Sequence, residues 1–365
     1  MNSDIEKLQP EPAADGWRVL AGLRFYLAFI VVCGHLFRFV PDDRFLNRAL
    51  GNVGALDAVA AVFGFLVISG FSIAHSIKKS PVGFYQRRVL RIYPLYVCGV
   101  LASLVPFWFV GPRIATIDSV FTRPEPSLLA GNFVFLQGFL CGPLSANRPL
   151  WTLAVEVFCY LLAPLFMRMR TGLLLALIGI SASAYAAFPW LNLNFYSVLL
   201  YGLPTFFLLW AWLSGFVFYR HRREPVFQIG LIGLGTLLFS VNVIFNTSFG
   251  IFTYVSSSLL VVFCDRLRLP AAVLRALNYL GELSYPLYVL HLPILIFAYA
   301  VLGVRSAPVM VALALLGAAL FYHAIDWPLR RRNRARRVTI ITPTGEYSPT
   351  DPLEPARRTQ ANITE

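Results

Sequence analysis

Leu20-Ala-Gly-Leu-Arg24-Phe-Tyr-Leu-Ala-Phe-Ile-Val-Val-Cys-Gly-His35 is an apolar run interrupted only by an arginine and a histidine placed eleven residues apart. A helix needs about 20 mainly apolar residues to cross the hydrocarbon layer of a bilayer, and this run with its flanks supplies them. Similar windows recur near 19–39, 57–77, 93–111, 150–168, 172–190, 199–219, 227–246, 249–264, 284–303 and 307–326. The fold class that follows is all-α, a polytopic membrane helical bundle of about ten transmembrane helices. Composition points the same way. Of 365 residues 58% are hydrophobic, 15% aromatic and 13% charged, against about a quarter charged in a soluble domain. Mean hydropathy is +0.66. A disordered chain, a disulfide scaffold and an ordinary cytosolic enzyme are excluded.

The net charge of +13 does not speak for nucleic acid as a partner, because the basic residues sit between apolar blocks rather than on one binding face. Four cysteines (Cys33, Cys98, Cys159, Cys264) fall in apolar blocks and Cys141 in a loop. Their odd number and spacing match no metal motif, and no disulfide framework is expected. The polar first sixteen residues, with Pro10 and Pro12, do not read as a signal peptide, so the first apolar block is expected to act as an uncleaved anchor.

Loop charge sets the expected topology. Lys and Arg accumulate on the cytoplasmic side. An eleventh apolar window, 127–145, is cut by Pro143 and several glycines and preceded by Pro124 and Pro126. If it stays in the outer layer, the basic loops Lys78–Arg91, Arg168/Arg170, Arg220–Arg223 and Arg266–Arg275 and the tail from Arg330 all face the cytoplasm. Of the 31 Lys and Arg, 23 then lie inside, Arg24 lies within the first span, and seven lie outside: Arg38, Arg44, Arg48, Arg113, Arg123, Arg148 and Arg305. The expected organisation is a cytoplasmic segment 1–16, a transmembrane domain 17–335 with a long outer segment 112–149, and a disordered cytoplasmic tail 336–365 rich in Thr, Pro and charge. Both termini are expected in the cytoplasm. No internal repeat is visible, which weighs against an inverted-repeat transporter.

Ionisable groups within membrane spans are costly, and usually face an interior cavity. Arg24 and His35 project from one face of a continuous helix, about 16 Å apart along its axis, which puts Arg24 near the cytoplasmic mouth and His35 in the outer half. Snorkelling and ordinary packing are the plainer alternatives for the two. Arg88 and Arg91 are i,i+3 neighbours in Phe84-Tyr85-Gln86-Arg87-Arg88-Val89-Leu90-Arg91; guanidinium pairs suit phosphate oxygens, and fixing topology is the other reading. Ser69, in Ile68-Ser69-Gly70-Phe71, serves close helix packing or a ligand contact. Glu156 follows Trp151 in an apolar run, with Tyr160 on its face, at about the depth expected for His35. A buried carboxylate must be protonated, paired or wet, and pairing with a histidine would orient an imidazole for base work. Trp151 also fits an interfacial anchor. Ser284, Tyr288 and His291 share a face as a lining or as a hydrogen-bonded seam. Asp326 precedes the arginine cluster and is a second candidate carboxylate, or a partner for Arg330. No Walker loop, dinucleotide glycine pattern, HExxH spacing or Gly-x-Ser-x-Gly elbow occurs.

Taken in order, these stretches resemble the acyltransferase-3 family of integral-membrane O-acyltransferases over roughly residues 17–335. The matching pieces are Arg24 with His35; Ile68-Ser69-Gly70-Phe71; Phe84-Tyr85 followed by Arg87-Arg88-Val89-Leu90-Arg91-Ile92-Tyr93-Pro94; Trp151 through Glu156 with Tyr160 and Pro164; Ser284 through His291; and Asp326-Trp327-Pro328. The chain departs from the family pattern at Thr152 and Ala154, where Ser is common, at Asp326, where Glu is usual, and at Phe63, where a small polar or acidic residue often stands.

The resemblance implies transfer of an acetyl or other short acyl group from cytoplasmic acyl-CoA to a hydroxyl of a carbohydrate or lipid-linked glycan. It implies His35 as the catalytic group and Arg88 and Arg91 near the donor; on the reading of the residues themselves, Glu156 or Asp326 would orient His35, and Arg24 and Ser69 would join the donor site. Trp151, Tyr160, Tyr288 and His291 would line the substrate path. His35, with an unperturbed pKa near 6.5, would act as base or as an acyl relay. Acetyl-CoA enters as donor substrate, no metal is expected, and the expected setting is a bacterial cytoplasmic membrane, with its lipid as the surrounding partner. A transporter or flippase for lipid-linked sugars or small anions is the alternative function.

Overall fold

The computed structural model describes residues 13–331 apart from 42, 43, 192, 194 and 243–248; the expected tail 336–365 lies outside them. The helices are α1 (Ala14–Cys33), α2 (Phe45–Gly54), α3 (Ala58–Lys79), α4 (Phe84–Ala102), α5 (Val105–Val110), α6 (Pro126–Phe133), α7 (Trp151–Arg168), α8 (Thr171–Ala187), α9 (Leu203–His221), α10 (Pro225–Val241), α11 (Gly250–Phe263), α12 (Ala271–Ala300) and α13 (Ala307–Phe321). A small hairpin, β1 (Arg113–Ala115) with β2 (Val120–Thr122), pairs Ile114 opposite Phe121. The protein is an all-α polytopic bundle. Seven helical stretches among the described residues are long and apolar enough to cross a membrane. The helices α9, α10 and α11 occupy the other three expected windows; α10 and α11, at 17 and 14 residues, are shorter than a full crossing requires.

These ten helices alternate between two ends. At one end Ala13 N–H donates to Asp265 (3.1 Å), the Trp17 ring lies 4.8 Å from that of His75, and Arg220 donates to the Met169 carbonyl (2.9 Å). This is the end where the basic connections gather. At the other end Arg38 donates to Ser119, Thr253 to the Leu56 carbonyl, Asn242 to the Tyr185 carbonyl (3.0 Å), and Ala307 N–H to Asn47 (3.1 Å). The first helix of the bundle runs parallel to α12: Gly22 sits against Leu277, and further along His35 meets His291.

Close backbone approach sets two of the helix contacts. A Cβ on Gly70 would collide with the Trp212 carbonyl, and one on Gly215 with the Val67 carbonyl, so only glycine lets α3 and α9 touch. Small residues at a helix crossing are how membrane bundles gain packing where lipid offers no hydrophobic drive. The same contact carries Ser69 to the helices beyond. Phe63, two turns earlier, stacks at 5.2 Å on Trp210 and meets Tyr185 and Phe239 at the same distance. The departure from the family pattern at this position is thus an aromatic packing centre, fully buried.

Helix boundaries shift two of the expected depths. The helix α1 starts at Ala14, with an Arg18–Asp15 ion pair in its first turn, so Arg24 lies halfway along it rather than near a mouth. It ends at Cys33, and His35 lies just past the last turn, preceding a 3₁₀ turn, Leu36–Arg38. The two residues are therefore not on one face of a single continuous helix. Likewise α7 is preceded by a 3₁₀ turn over Ser145–Leu150. Helical structure thus begins before residue 150, and Glu156 sits deeper than its expected place near the outer end.

The 112–149 segment is a folded cap tied to the bundle by buried amides. Gln137 donates to the Tyr96 hydroxyl (2.8 Å) and the Leu150 carbonyl (3.1 Å). Asn147 donates to the Gly99 carbonyl (3.1 Å) and the Val289 carbonyl (2.9 Å). That second bond has a cause: Pro293 within α12 lacks the N–H that would reach residue 289, and Asn147 fills the vacated acceptor. Asn147 is fully buried, where an unsatisfied carbonyl would cost about 1–3 kcal/mol.

Candidate active site

Five helices, α1, α3, α4, α7 and α12, enclose a cavity of about 120 Å³ in the middle of the bundle. Arg24, Arg88 and Arg91 line it together with Ser69, Glu156 and Tyr160. Arg88 and Arg91 fall in the first turns of α4, which already begins at Phe84, so the basic stretch expected as loop is helix. Arg88 Nη2 donates to Ser76 Oγ (2.7 Å). The Nε atoms of Arg24 and Arg88 are buried without a hydrogen-bond partner among the described residues. Arg91 is exposed and marks the mouth.

Glu156 is the one carboxylate among the described residues that line this cavity. Ser69 donates to its Oε1 (2.6 Å), and the Tyr160 hydroxyl, one turn on, donates to the same oxygen. Trp212 Nε1 donates in turn to Ser69 Oγ (3.2 Å), which the Gly70 contact makes possible. Three guanidiniums against one carboxylate leave the cavity net positive in a setting where charge is weakly screened. Such a site suits an anion held by charge-assisted hydrogen bonds.

His35 does not line this cavity. It opens on a second one, of about 320 Å³, at the opposite end from the basic connections, with Arg38, Asp118, Ser119, Ser145 and Arg148. His35 Nδ1 donates to the Val31 carbonyl (2.7 Å). A carbonyl only accepts, so the bond fixes the proton on Nδ1 and leaves the Nε2 lone pair free. The backbone therefore orients this imidazole. Glu156 is engaged with Ser69 and Tyr160, and neither it nor Asp326 hydrogen-bonds to His35. Asp326 closes a π-helical turn, Tyr322–Asp326, and accepts from Arg330 Nε (2.8 Å), while Arg330 also pairs with Glu282. It lines neither cavity.

Ring contacts link the two cavities. Tyr288 borders the arginine cavity; its hydroxyl meets Thr152 Oγ1 at 2.6 Å. The Tyr288 ring lies 6.1 Å from that of His291, and the His291 ring meets His35 edge-on at 5.2 Å. His291 Nδ1 donates to the Tyr288 carbonyl (2.8 Å). His291 is fully buried and Trp151 nearly so, and neither is among the residues lining the two cavities. Two neighbours of His35 escaped the sequence reading: Arg38 and Arg148 were counted only as outer loop charges. The signal was there for Arg38, one turn beyond His35. Nothing local marks Arg148, which the cap brings in. Among the described residues no cluster of three or more His, Cys, Asp or Glu could hold a metal.

A membrane bundle with a cationic inner cavity and a backbone-oriented histidine beyond it is the setting in which the sequence comparisons fall. The acyltransferase domain family matches residues 18–324, and the chain belongs to that family; it is an integral-membrane acyltransferase. Among its relatives is the protein ORF330 of the Acidianus two-tailed virus, which carries a provisional acetyltransferase name. That protein is 29% identical over 285 residues, 73% of this chain and 77% of its own length. The acyltransferase MdmB of Streptomyces mycarofaciens is 32% identical over 158 residues, 41% of this chain and 39% of its own. No solved structure matches the chain.

Proposed function

We propose that this acyltransferase moves an acetyl or other short acyl group from acyl-CoA, supplied at the basic end of the bundle, to a carbohydrate or lipid-linked glycan hydroxyl at the histidine end. The basic end is the cytoplasmic one, with both termini on that side, by the positive-inside bias. The donor's phosphates rest on Arg88 and Arg91 at the mouth. Arg24 faces the pantetheine arm, and the thioester reaches His35 past the Tyr288 ring. A cavity of about 120 Å³ suits the slender thioester end of the donor rather than its nucleotide.

The observation that carries this reading is the His35 Nδ1–Val31 carbonyl bond. It leaves Nε2 as a free base facing the histidine cavity. In the reaction, Nε2 takes the proton of the acceptor hydroxyl as its oxygen attacks the thioester carbonyl. The carbon–sulfur bond then breaks, the departing thiolate takes the proton from the imidazolium, and the products are the ester and free CoA. Arg24 and Glu156 belong to donor placement and not to the proton transfer.

The test is mass spectrometry of envelope and secreted glycans from cells with and without the protein, beside incubation of membranes with acetyl-CoA labelled in the acetyl group. An acyl mass difference with label on a sugar is the expected result. Transported but unlabelled sugar would replace this reading with a carrier.

A further inference from the structure

The histidine cavity carries more positive charge than a neutral alcohol would need. Arg38 lies one turn beyond His35, half-buried. Its Nη1 donates to Ser119 Oγ (2.5 Å), and its Nε is buried without a hydrogen-bond partner among the described residues. Arg148 lines the same cavity from the cap and is exposed. Neither arginine forms an ion pair with a described carboxylate. Asp118, exposed at the rim, is the one acidic group among the described residues lining the cavity, so their balance stays positive.

Position sharpens the point. Basic residues on the far side oppose the bias that orients the chain. Two of the seven expected there nevertheless converge beside the imidazole. With a neutral ligand in place, these guanidiniums would face one another with only Asp118 nearby. A carboxylate or phosphate would instead receive paired, planar hydrogen bonds from them.

We propose that the acceptor is anionic: its carboxylate or phosphate is held by Arg38 and Arg148 while a neighbouring hydroxyl is presented to His35 Nε2. This rests on the reading of His35 as the base on the acceptor side. Arg38 and Arg148 are then specificity residues, selecting a charged glycan over a neutral one.

The test is calorimetric titration of the purified full-length protein in lipid nanodiscs, without donor, with methyl β-glucuronide, glucose 1-phosphate and methyl β-glucoside. At least one anion should bind about tenfold more tightly than the neutral glucoside, as expected for charge-assisted contacts. A preference for the glucuronide assigns a sugar carboxylate, and one for glucose 1-phosphate a phosphorylated sugar. The preference should vanish in Arg38→Gln/Arg148→Gln and persist in part in Arg38→Lys/Arg148→Lys, which keeps the charge and controls for folding. Equal affinities, no binding of either anion, or a preference untouched by the glutamine pair overturns the proposal. A second arm adds labelled acetyl-CoA to the same probes. Equal kcat/KM for glucoside and anions overturns the anionic acceptor and leaves acyl transfer standing. Arginine-dependent anion binding with no label on any probe supports the anion site and counts against the acetyl-transfer reading.

Discussion

The two cavities are built from different material. The arginine cavity is walled by five long helices, and its polar groups are locked in place: Glu156 by Ser69 and Tyr160, Ser69 by Trp212, Arg88 by Ser76. The histidine cavity is half helix end and half cap, with Asp118, Ser119, Ser145 and Arg148 all contributed by the 112–149 segment. On the proposed function, the donor calls for a fixed site and the acceptor for one that loops can shape. The division of material thus matches the proposed division of labour, with Tyr288 and His291 standing at the border.

The contrast predicts that damage to helix packing is worst. Gly70→Val should prevent α3 and α9 from meeting and remove most of the folded protein. Accumulation with a normal monodisperse profile on detergent size-exclusion chromatography would show that the contact is dispensable. Next comes donor binding. Arg88→Gln should raise the acyl-CoA KM by roughly tenfold, the loss of a charge-assisted contact, and leave the acceptor KM alone; the reverse split would move Arg88 to the other cavity. Smaller still is the border. Tyr288→Phe keeps the ring but loses the hydrogen bond to Thr152, and should change kcat by a few-fold, about 1 kcal/mol, with both KM values held. A change confined to donor KM would make Tyr288 a wall of the arginine cavity and nothing more. The cap affects activity least: Asn147→Ala strands the Val289 carbonyl at about 1–3 kcal/mol of stability, seen as a lower Tm with kcat nearly intact. An unchanged Tm would remove Asn147 as the tie between cap and α12.

How much of this was legible in the sequence depended on periodicity and charge. A described helix lies in each of the ten apolar windows, and seven of the stretches are long and apolar enough to cross a membrane, because burial in lipid demands long apolar runs. The grouping of Arg24, Ser69, Arg88, Arg91, Glu156 and Tyr160 into one cavity follows the motifs that marked them. Depth was not legible. Polar first turns, such as Ala14–Arg18 and Phe84–Arg91, are helical but carry no hydropathy signal, so Arg24 and Glu156 were placed relative to the wrong ends. Pairing was not legible either. A carboxylate partner for His35 was the natural expectation, yet the chain ends its first long helix at Cys33 and lets the Val31 carbonyl do that work. The cap defeats sequence reading altogether, since Asn132, Gln137 and Asn147 look like loop polar residues and are buried.

The proton transfer itself is tested most directly by His35→Ala in purified protein, with labelled acetyl transfer measured beside equilibrium binding of acetyl-CoA. The account predicts a loss of kcat of about 10²–10⁴-fold, the range for removing a general base, with donor affinity unchanged because the donor's phosphates and pantetheine arm are gripped at the arginine cavity. Transfer at the wild-type rate in that variant would contradict it.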